Sequence, residues 1–432
     1  MVIEAGKALN FPEVAKCIQC GACTSACPIA TYFEFSPRKI VYLTKKLRNL
    51  DYSKLWECIQ CSMCSTVCPQ GVPVYKLIAE IRGKKQPPSI RELVSNIMKT
   101  GVSTLPLYRS ELSVKTGPKW FNGVVNDVKS RSIRHYIPAT RLYATMASLV
   151  VSGTSRTRTN RIYLYPGCLA LNLYPSVVRS VVDLLSILGY DIVFNINDFA
   201  CCGFPLVLSG STSDVIFAVI YAVLSSLAEN TGSSLIVTPC NGCYFSLTYG
   251  RTLLRLDENI RRIVHELISR HGFKTVYDTP ILLVSDIVAN RVNELGVNTD
   301  AKLAVFYGCH YRAVFSYSQV MPTNLEKIAE QTSQGIVHYF GEHSCCGGFS
   351  LYNPLIAKKL SLTMLRSAKK EGAKFMVLQC LGCLMNMNRV ATRSHAKKND
   401  IAIPIHVAQL LMYVLSGSKR YVRELSFIKY LE

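Results

Sequence analysis

The sequence predicts a multidomain chain in which an α-helical module with two cysteine runs is followed by two repeated α/β units. Three observations carry that prediction. Two CxxCxxCxxxCP runs lie near the N-terminus, CIQCGACTSACP at residues 17–28 and CIQCSMCSTVCP at residues 58–69. A set of five cysteines then occurs twice, spaced C-x32-CC-x37-CxxC and C-x35-CC-x33-CxxC. Around each set, short apolar runs alternate with helical patterns, the signature of α/β units with parallel sheets.

Each of the two runs offers three closely spaced thiols and a fourth beside a proline. That pattern holds a cubane [4Fe-4S] cluster, with the first three thiolates on one cluster and the fourth on the other. The assignment is therefore crossed: Cys17, Cys20, Cys23 and Cys68 on one cluster, and Cys58, Cys61, Cys64 and Cys27 on the second. Zinc sites use two pairs of ligands and fit this spacing poorly. Between the runs, Ser36 and Pro37 start a helix as N-cap and first residue, with Ile40, Val41, Leu43, Leu47 and Leu50 on its apolar face. Trp56 precedes the second run, where it either shields a cluster or packs as an ordinary core residue.

At 432 residues the chain is long for a single core, and its 49% hydrophobic content is that of a globular protein. All 18 cysteines fall in the two runs and the two five-cysteine sets. No apolar stretch with a small-residue cleavage site opens the sequence, so a cytoplasmic, reducing compartment is expected, in which clustered cysteines are metal ligands or redox groups. The longest apolar run, Val215 to Leu227, is too short to span a bilayer and reads as a buried helix.

The charge of +21 is unevenly spread. Between Lys84 and Arg161 there are 14 Lys and Arg against 3 Asp and Glu. Such a surface suits an acidic protein, anionic headgroups (and so peripheral membrane association) or an anionic substrate, and equally an ordinary solvated face. No nucleic-acid-binding module is visible. This same stretch carries Pro87-Pro88, Gly101, Pro106, Gly117-Pro118 and Pro138 and ends in a polar linker, VSGTSRTRTNR. Helices are predicted over Ile90–Met98 and Thr140–Val151. Lacking cysteine, it is expected to dock or join. The domain boundaries expected are 1–83 for the two-cluster module, 84–160 for a basic helical connector, 161–300 for the first α/β unit and 301–432 for the second.

The two units align element by element. Ile162–Tyr165 before Gly167-Cys168 corresponds to Leu303–Phe306 before Gly308-Cys309. A helix follows (Val177–Leu188; Leu325 onward), then a strand (Ile192–Phe194; Ile336–Phe340), then Cys201-Cys202-Gly203 or Cys345-Cys346-Gly347. A second helix leads to the strands Ser234–Val237 and Lys374–Leu378, which end at Cys240 and Cys380. Ligands gather at the C-terminal ends of parallel strands, so three strand ends would bring five thiolates together.

These residues resemble the CCG, or cysteine-rich, domains of heterodisulfide reductase, and residues 17–69 resemble its two-cluster ferredoxin subunit. The fused order is similar to the catalytic subunit of the membrane-linked form. Further matches are SPRKI at Ser36–Ile40, LWECIQCSMC at Leu55–Cys64, CCGG at Cys345–Gly348 and IPIHVAQLL at Ile403–Leu411. The resemblance implies an oxidoreductase acting on sulfur groups, with two noncubane [4Fe-4S] clusters. Cys168, Cys201, Cys202, Cys240 and Cys243 would hold one; Cys309, Cys345, Cys346, Cys380 and Cys383 would hold the other. A disulfide would be reduced there, or a dithiol oxidised. Relatives of the same layout serve as iron-sulfur electron-transfer subunits of glycolate, lactate and glycerol-3-phosphate dehydrogenases that pass electrons to quinone, and these often lose cysteines from one set. Both sets are complete here. The family commonly has Asp-Pro before the second-set cysteine, whereas this chain has Tyr307-Gly308, a departure that bears on the substrate.

Thiolate products need protons, and His310, beside Cys309, is the nearest candidate donor; the alternative is a hydrogen bond to a cluster sulfur or a carbonyl. His343 and His406 read as packing residues or as supports for the cysteines. Arg312 would either hold an anionic substrate group or form a surface ion pair. With no dinucleotide fingerprint and no CxxCH, the chain is expected to carry no flavin, NAD or haem of its own. It then needs a redox partner: a flavoprotein, a ferredoxin, or a membrane cytochrome or quinone subunit through which it would be membrane-associated.

Overall fold

The structure, a computed structural model, describes residues 2–3, 12–46, 49–104, 112–131, 133, 135, 137–153, 160–318, 321–350, 352–394 and 398–426. Ten strands form three sheets among these residues. β1 (Val2–Ile3) and β2 (Leu50–Asp51) make an antiparallel pair. β3 (Arg161–Leu164), β4 (Asp191–Val193), β5 (Ile236–Thr238) and β6 (Ile281–Leu283) form a parallel sheet of order β4-β3-β5-β6. β7 (Leu303–Phe306), β8 (Ile336–Val337), β9 (Phe375–Leu378) and β10 (Ile403–His406) repeat it as β8-β7-β9-β10.

In both sheets the first strand sits between the second and the third, so the chain reverses direction across the sheet at β3/β5 and at β7/β9. That reversal opens a crevice at the C-terminal strand ends, the position where ligands bind in open α/β sheets. Cys168 and Cys240 follow β3 and β5, and Cys309 and Cys380 follow β7 and β9. The repeat therefore places its cysteines by topology. β6 and β10 are edge strands that the alternation of apolar runs did not reveal. β8 stops at Val337, shorter than the expected Ile336–Phe340, because Tyr339 turns inward to donate its hydroxyl to the Val305 carbonyl (3.0 Å).

The helix Val215–Asn230 is buried almost all round, as its unbroken apolar run requires. The two units interlock: the helix Val407–Ser416 of the second lies on Pro175–Ile187 of the first, where Gln409 Nε2 donates to Ser176 Oγ (2.9 Å).

Residues 12–83 are built of short helices around the cysteine runs. Ser36 caps the helix Pro37–Lys45 by accepting from the Lys39 amide (3.2 Å). This helix ends earlier than its apolar pattern suggested: Leu50 is in β2, and Leu47 lies outside the described residues. The helix Val74–Gly83 carries the module onto the first unit. At Gly210 (φ 70°) a Cβ would run into the Ala79 carbonyl, so only glycine lets the two backbones meet.

The basic stretch contains three helices, Pro88–Thr100, Lys119–Ser130 and Ala139–Gly153. The first and last extend past the spans expected from pattern. Pro106 and most of the expected linker lie outside the described residues.

Candidate metal centres

None of the eighteen cysteines is in a disulfide. The first two cysteine groups surround two hollows. One is lined by Cys17, Cys20, Cys23 and Cys68, the other by Cys27, Cys58, Cys61 and Cys64. The crossed grouping read from the sequence is thus the spatial grouping. The two loops share an unusual backbone: Gln19 (φ 61°) and Gln60 (φ 54°) are left-handed, and each turns its amide towards a cysteine, Gln19 Nε2 to Cys17 Sγ (3.2 Å) and Gln60 Nε2 to Cys58 Sγ (3.5 Å). A non-glycine residue in this region carries strain, and its recurrence at the same place in both loops marks a fixed ligand geometry.

The hollows differ in depth. Cys20 is exposed and Cys17, Cys23 and Cys68 are partly so, whereas Cys27, Cys58, Cys61 and Cys64 are buried. Burial, with the charge of Cys61 adding to it, pushes the Cys27 thiol up to about 12, and burial pushes Cys58 up to about 11 against the pull of Arg82. A cluster held there would bind these cysteines as thiolates, so its binding would release protons.

The ten remaining cysteines converge on one place. In the first unit, thiol contacts run Cys168–Cys201–Cys202–Cys243–Cys240. In the second they run Cys309–Cys345–Cys346–Cys383–Cys380. Cys240 and Cys380 then meet, joining the two sets across the domain boundary. Finally, Cys345 reaches Cys61 of the second hollow. All ten are buried. Gly167 (φ 81°) and Gly308 (φ 78°) start the helices that carry Cys168 and Cys309, and a Cβ on Gly167 would come within 3.0 Å of Cys243 Sγ. The Tyr307-Gly308 pair thus makes the same turn as Pro166-Gly167.

Among the described residues, no three His, Cys, Asp or Glu converge to hold a single metal ion. The donor sets are all sulfur, four about each hollow and five at each strand-end site. Soft thiolates in such number fit iron-sulfur clusters.

His310 is half-buried, with Nε2 donating to the Gln60 carbonyl (3.0 Å) and Nδ1 facing Cys309 Sγ (3.3 Å). Phe204 and Phe245 pack edge-on against its ring. It ties the second five-cysteine set to the loop of the second hollow. Burial pulls its imidazole down, but the Cys309 thiolate outweighs burial and leaves it raised. His406 is fully buried; its Nε2 donates to the Pro239 carbonyl (3.0 Å), steadying the residue before Cys240. His343 differs from expectation: its side chain is 74% exposed and pairs with Glu342 (3.5 Å), because the chain rises to the surface before Cys345. Arg312 donates to the His343 carbonyl and lies close enough to Cys309 to feel its charge. Trp56 is a packing residue, buried under the Arg82 guanidinium (4.6 Å) with Nε1 donating to the Lys85 carbonyl (3.2 Å).

Sequence reasoning missed Ser103, whose Oγ lies 2.7 Å from Cys168 Sγ, and Gly101, whose carbonyl accepts from the Cys201 amide (2.7 Å). The basic stretch was expected only to join or dock, yet it closes one side of the first five-cysteine set. Its sole signal was a Gly-Val-Ser-Thr turn after a helix.

A family profile described as a 4Fe-4S dicluster domain matches residues 13–72, and one described as a cysteine-rich domain matches twice, at 162–248 and 303–388. The chain has a ferredoxin-type 4Fe-4S dicluster domain followed by two cysteine-rich domains. Its relatives include one of the subunits of the ferredoxin/F(420)H(2)-dependent CoB-CoM heterodisulfide reductase of Methanosarcina acetivorans, 25% identical over 276 residues, covering 60% of this chain and 90% of that one. Lactate utilization protein A of an Exiguobacterium species is 25% identical, covering 58% and 96%. The membrane anchor subunit of the 8-methylmenaquinol:fumarate reductase of Wolinella succinogenes is 23% identical, covering 57% and 89%. A hypothetical protein from Helicobacter pylori shares the fold at a TM-score of 0.50 and 14% identity; 82% of this chain aligns, spanning 60% of that one. No helix among the described residues is long and apolar enough to cross a membrane.

Proposed function

We propose that this chain is an iron-sulfur oxidoreductase of the heterodisulfide reductase type, which reduces a disulfide, or oxidises a dithiol, between its two cysteine-rich domains. The observation that carries this reading is the single run of ten thiols, closed at Cys240–Cys380 and linked through Cys345 to Cys61. In this reading the dicluster domain is helical and holds two cubane clusters on its eight cysteines, and each cysteine-rich domain holds a noncubane cluster on its five. Bound there, the clusters supply single electrons and iron atoms with affinity for sulfur.

The chain's own residues define the rest. RSSR with two electrons and two protons gives two RSH, and His310 Nδ1, facing the cysteines while Nε2 is held by Gln60, is the group placed to hand over a proton. The exposed Cys20 makes the first hollow the side on which an external redox partner docks. His310→Gln is expected to lower disulfide turnover about tenfold or more, the scale of a positioned acid–base group, with iron content unchanged. Equal turnover in the variant would remove His310 from the chemistry.

The likeness to lactate utilization protein A favours a second reading, a non-catalytic electron-transfer subunit of a flavin dehydrogenase complex. Iron and acid-labile sulfide on anaerobically purified protein, with electron paramagnetic resonance before and after adding a thiol, separate the two. About sixteen irons, four [4Fe-4S] clusters, with a signal that shifts on thiol addition, is the result expected. About eight irons and a spectrum blind to thiol would leave the cysteine-rich domains as scaffold.

A further inference from the structure

A cavity of ≈ 240 Å³ lies where the dicluster domain, the basic stretch and the first cysteine-rich domain meet. The mechanism above uses none of it. Its floor is a buried polar network. Lys76 Nζ lies 2.7 Å and His135 Nε2 3.0 Å from Asp214 Oδ2, and Tyr249 donates to the same oxygen (2.5 Å). The Ile137 amide donates to His135 Nδ1 (3.3 Å), so the ring proton sits on Nε2 and points at Asp214. Burial opposes the charge of Asp214, but Lys76 and His135 outweigh it and hold the carboxyl well below its usual range.

Three features mark this as a place for a ligand. First, Tyr75 lines both this cavity and the hollow of Cys27, Cys58, Cys61 and Cys64, so one side chain separates the two. Second, Thr212 Oγ1 is buried on the wall without a hydrogen-bond partner among the described residues. A buried hydroxyl left without a partner is destabilising, and a ligand oxygen would satisfy it. Third, one part of the wall is apolar, formed by Val128, Ile133, Leu142 and Val207.

The charges on the wall nearly cancel, with Lys76 and Lys129 against Glu13, Glu80 and Asp214, which excludes a phosphate or other polyanion. The volume is just below the ~300–1,000 Å³ of drug-sized pockets, enough for one fused ring system. An apolar ring with oxygen atoms at its ends, facing hydroxyl and ammonium donors beside a redox centre, is a quinone.

We propose that this cavity binds the ring of a p-quinone, and that the quinone exchanges electrons with the dicluster domain across Tyr75. The electron balance rests on the disulfide reading: two RSH and Q give RSSR and QH2. Two electrons leave the dithiol and are taken by the quinone, whose two oxygens take two protons. Those protons enter from solvent through the cavity mouth, and Lys76 and His135, gathered at Asp214, hand them on. The reverse reaction uses the same groups.

The test uses the full chain with its clusters, purified anaerobically, and 1,4-naphthoquinone as probe. Isothermal titration is expected to give one quinone per chain, bound at least tenfold more weakly by Lys76→Met and by Thr212→Val. Thr212→Val removes a hydroxyl that bonds nothing, so it leaves the fold intact. Reoxidation of dithionite-reduced protein by the quinone should slow in the same proportion, while ferricyanide, which takes electrons without protons, reoxidises all three proteins alike. Absence of binding, or equal binding by the variants, overturns the site. Disulfide turnover with a viologen donor but no quinone binding would sink this site alone. Quinone binding without disulfide turnover would sink the disulfide reading and leave the site standing. Repeating the reoxidation with the same ring on an isoprenoid tail in anionic vesicles identifies the source: faster than the free ring means a membrane pool, slower a soluble one.

Discussion

Cys309→Ala is expected to abolish disulfide turnover, with a loss on the order of 10³-fold or more, the scale seen when one member of a set that acts as a unit is removed. The expectation follows from where the thiol sits. Cys309 heads the second five-cysteine run, touching Cys345 on one side and His310 Nδ1 on the other. The thiol contact with Cys345 comes first among the influences that bring it down to about 5, with the charge of His310 assisting and burial opposing. Alanine leaves Cys345 without its first partner on the branch that leads to Cys61, and it leaves His310 held only by the Gln60 carbonyl. The iron count should fall by about four of sixteen, one [4Fe-4S] cluster, while the spectrum of the dicluster domain persists. Full iron with turnover within tenfold of the parent would mean that Cys309 is not a ligand. Cys168→Ala, at the equivalent position of the first set, is the natural companion. Its neighbour is Ser103 rather than a histidine, so a difference between the two variants would measure what His310 adds.

The cysteines made the site legible because their spacing is a direct record of ligand geometry. Three thiols at x2 intervals can only wrap one corner, and the fourth, past a turn ended by proline, must serve elsewhere; hence the crossed grouping of Cys68 with the first run could be read before any coordinates. The repeat was legible for a similar reason, since two copies of Gly-Cys, Cys-Cys-Gly and CxxC leave little freedom in register. What sequence could not give was the meeting of the two copies. The contact of Cys240 with Cys380 depends on the way the helix Val407–Ser416 lies on Pro175–Ile187, and that packing is apolar surface without a residue code. Edge strands such as β6 and β10 escaped because buried parallel strands read as plain apolar runs, with no alternation to mark them. Ser103 escaped because a serine in a turn is far more often a cap than a neighbour of a metal ligand. His343 was misjudged because proximity in sequence to Cys345 says nothing about which way a loop faces.

Arg82 carries the other large expected effect, and it bears on how the parts act as one molecule. Its guanidinium is buried, donating from Nη1 to the Cys58 carbonyl (2.8 Å) and from Nε to the Leu208 carbonyl (3.0 Å), with the Trp56 ring on one side and Phe349 at 5.7 Å. Cys58 and Trp56 belong to the dicluster domain, Leu208 to the first cysteine-rich domain, and Phe349 follows the Cys-Cys-Gly-Gly turn of the second. One side chain therefore joins all three. Burial lowers its pKa to about 10, with Cys58 and Tyr52 countering, so it remains a cation at neutral pH. Replacement by methionine keeps the apolar stem but strands two buried carbonyls, each costing about 1–3 kcal/mol, against which the relief of desolvating a cation recovers part. A net loss of about 2–4 kcal/mol is expected at the junction, comparable to breaking a buried polar network. Limited proteolysis around Gly83–Pro88, where the chain leaves the dicluster domain beside the Arg82 contacts and Gln86 Nε2 donates to the Ser209 carbonyl (3.1 Å), should accelerate at least tenfold in Arg82→Met. Arg82→Lys retains the charge but cannot span both carbonyls with a planar fork, so it should recover only part of the protection. Iron bound to the dicluster domain should be retained while disulfide turnover driven from an external donor falls, since the loop that carries Cys61 would no longer be pinned against Cys345. Unchanged proteolysis and unchanged turnover would show that the Gly83–Gly210 contact and the surrounding apolar surface hold the junction without it.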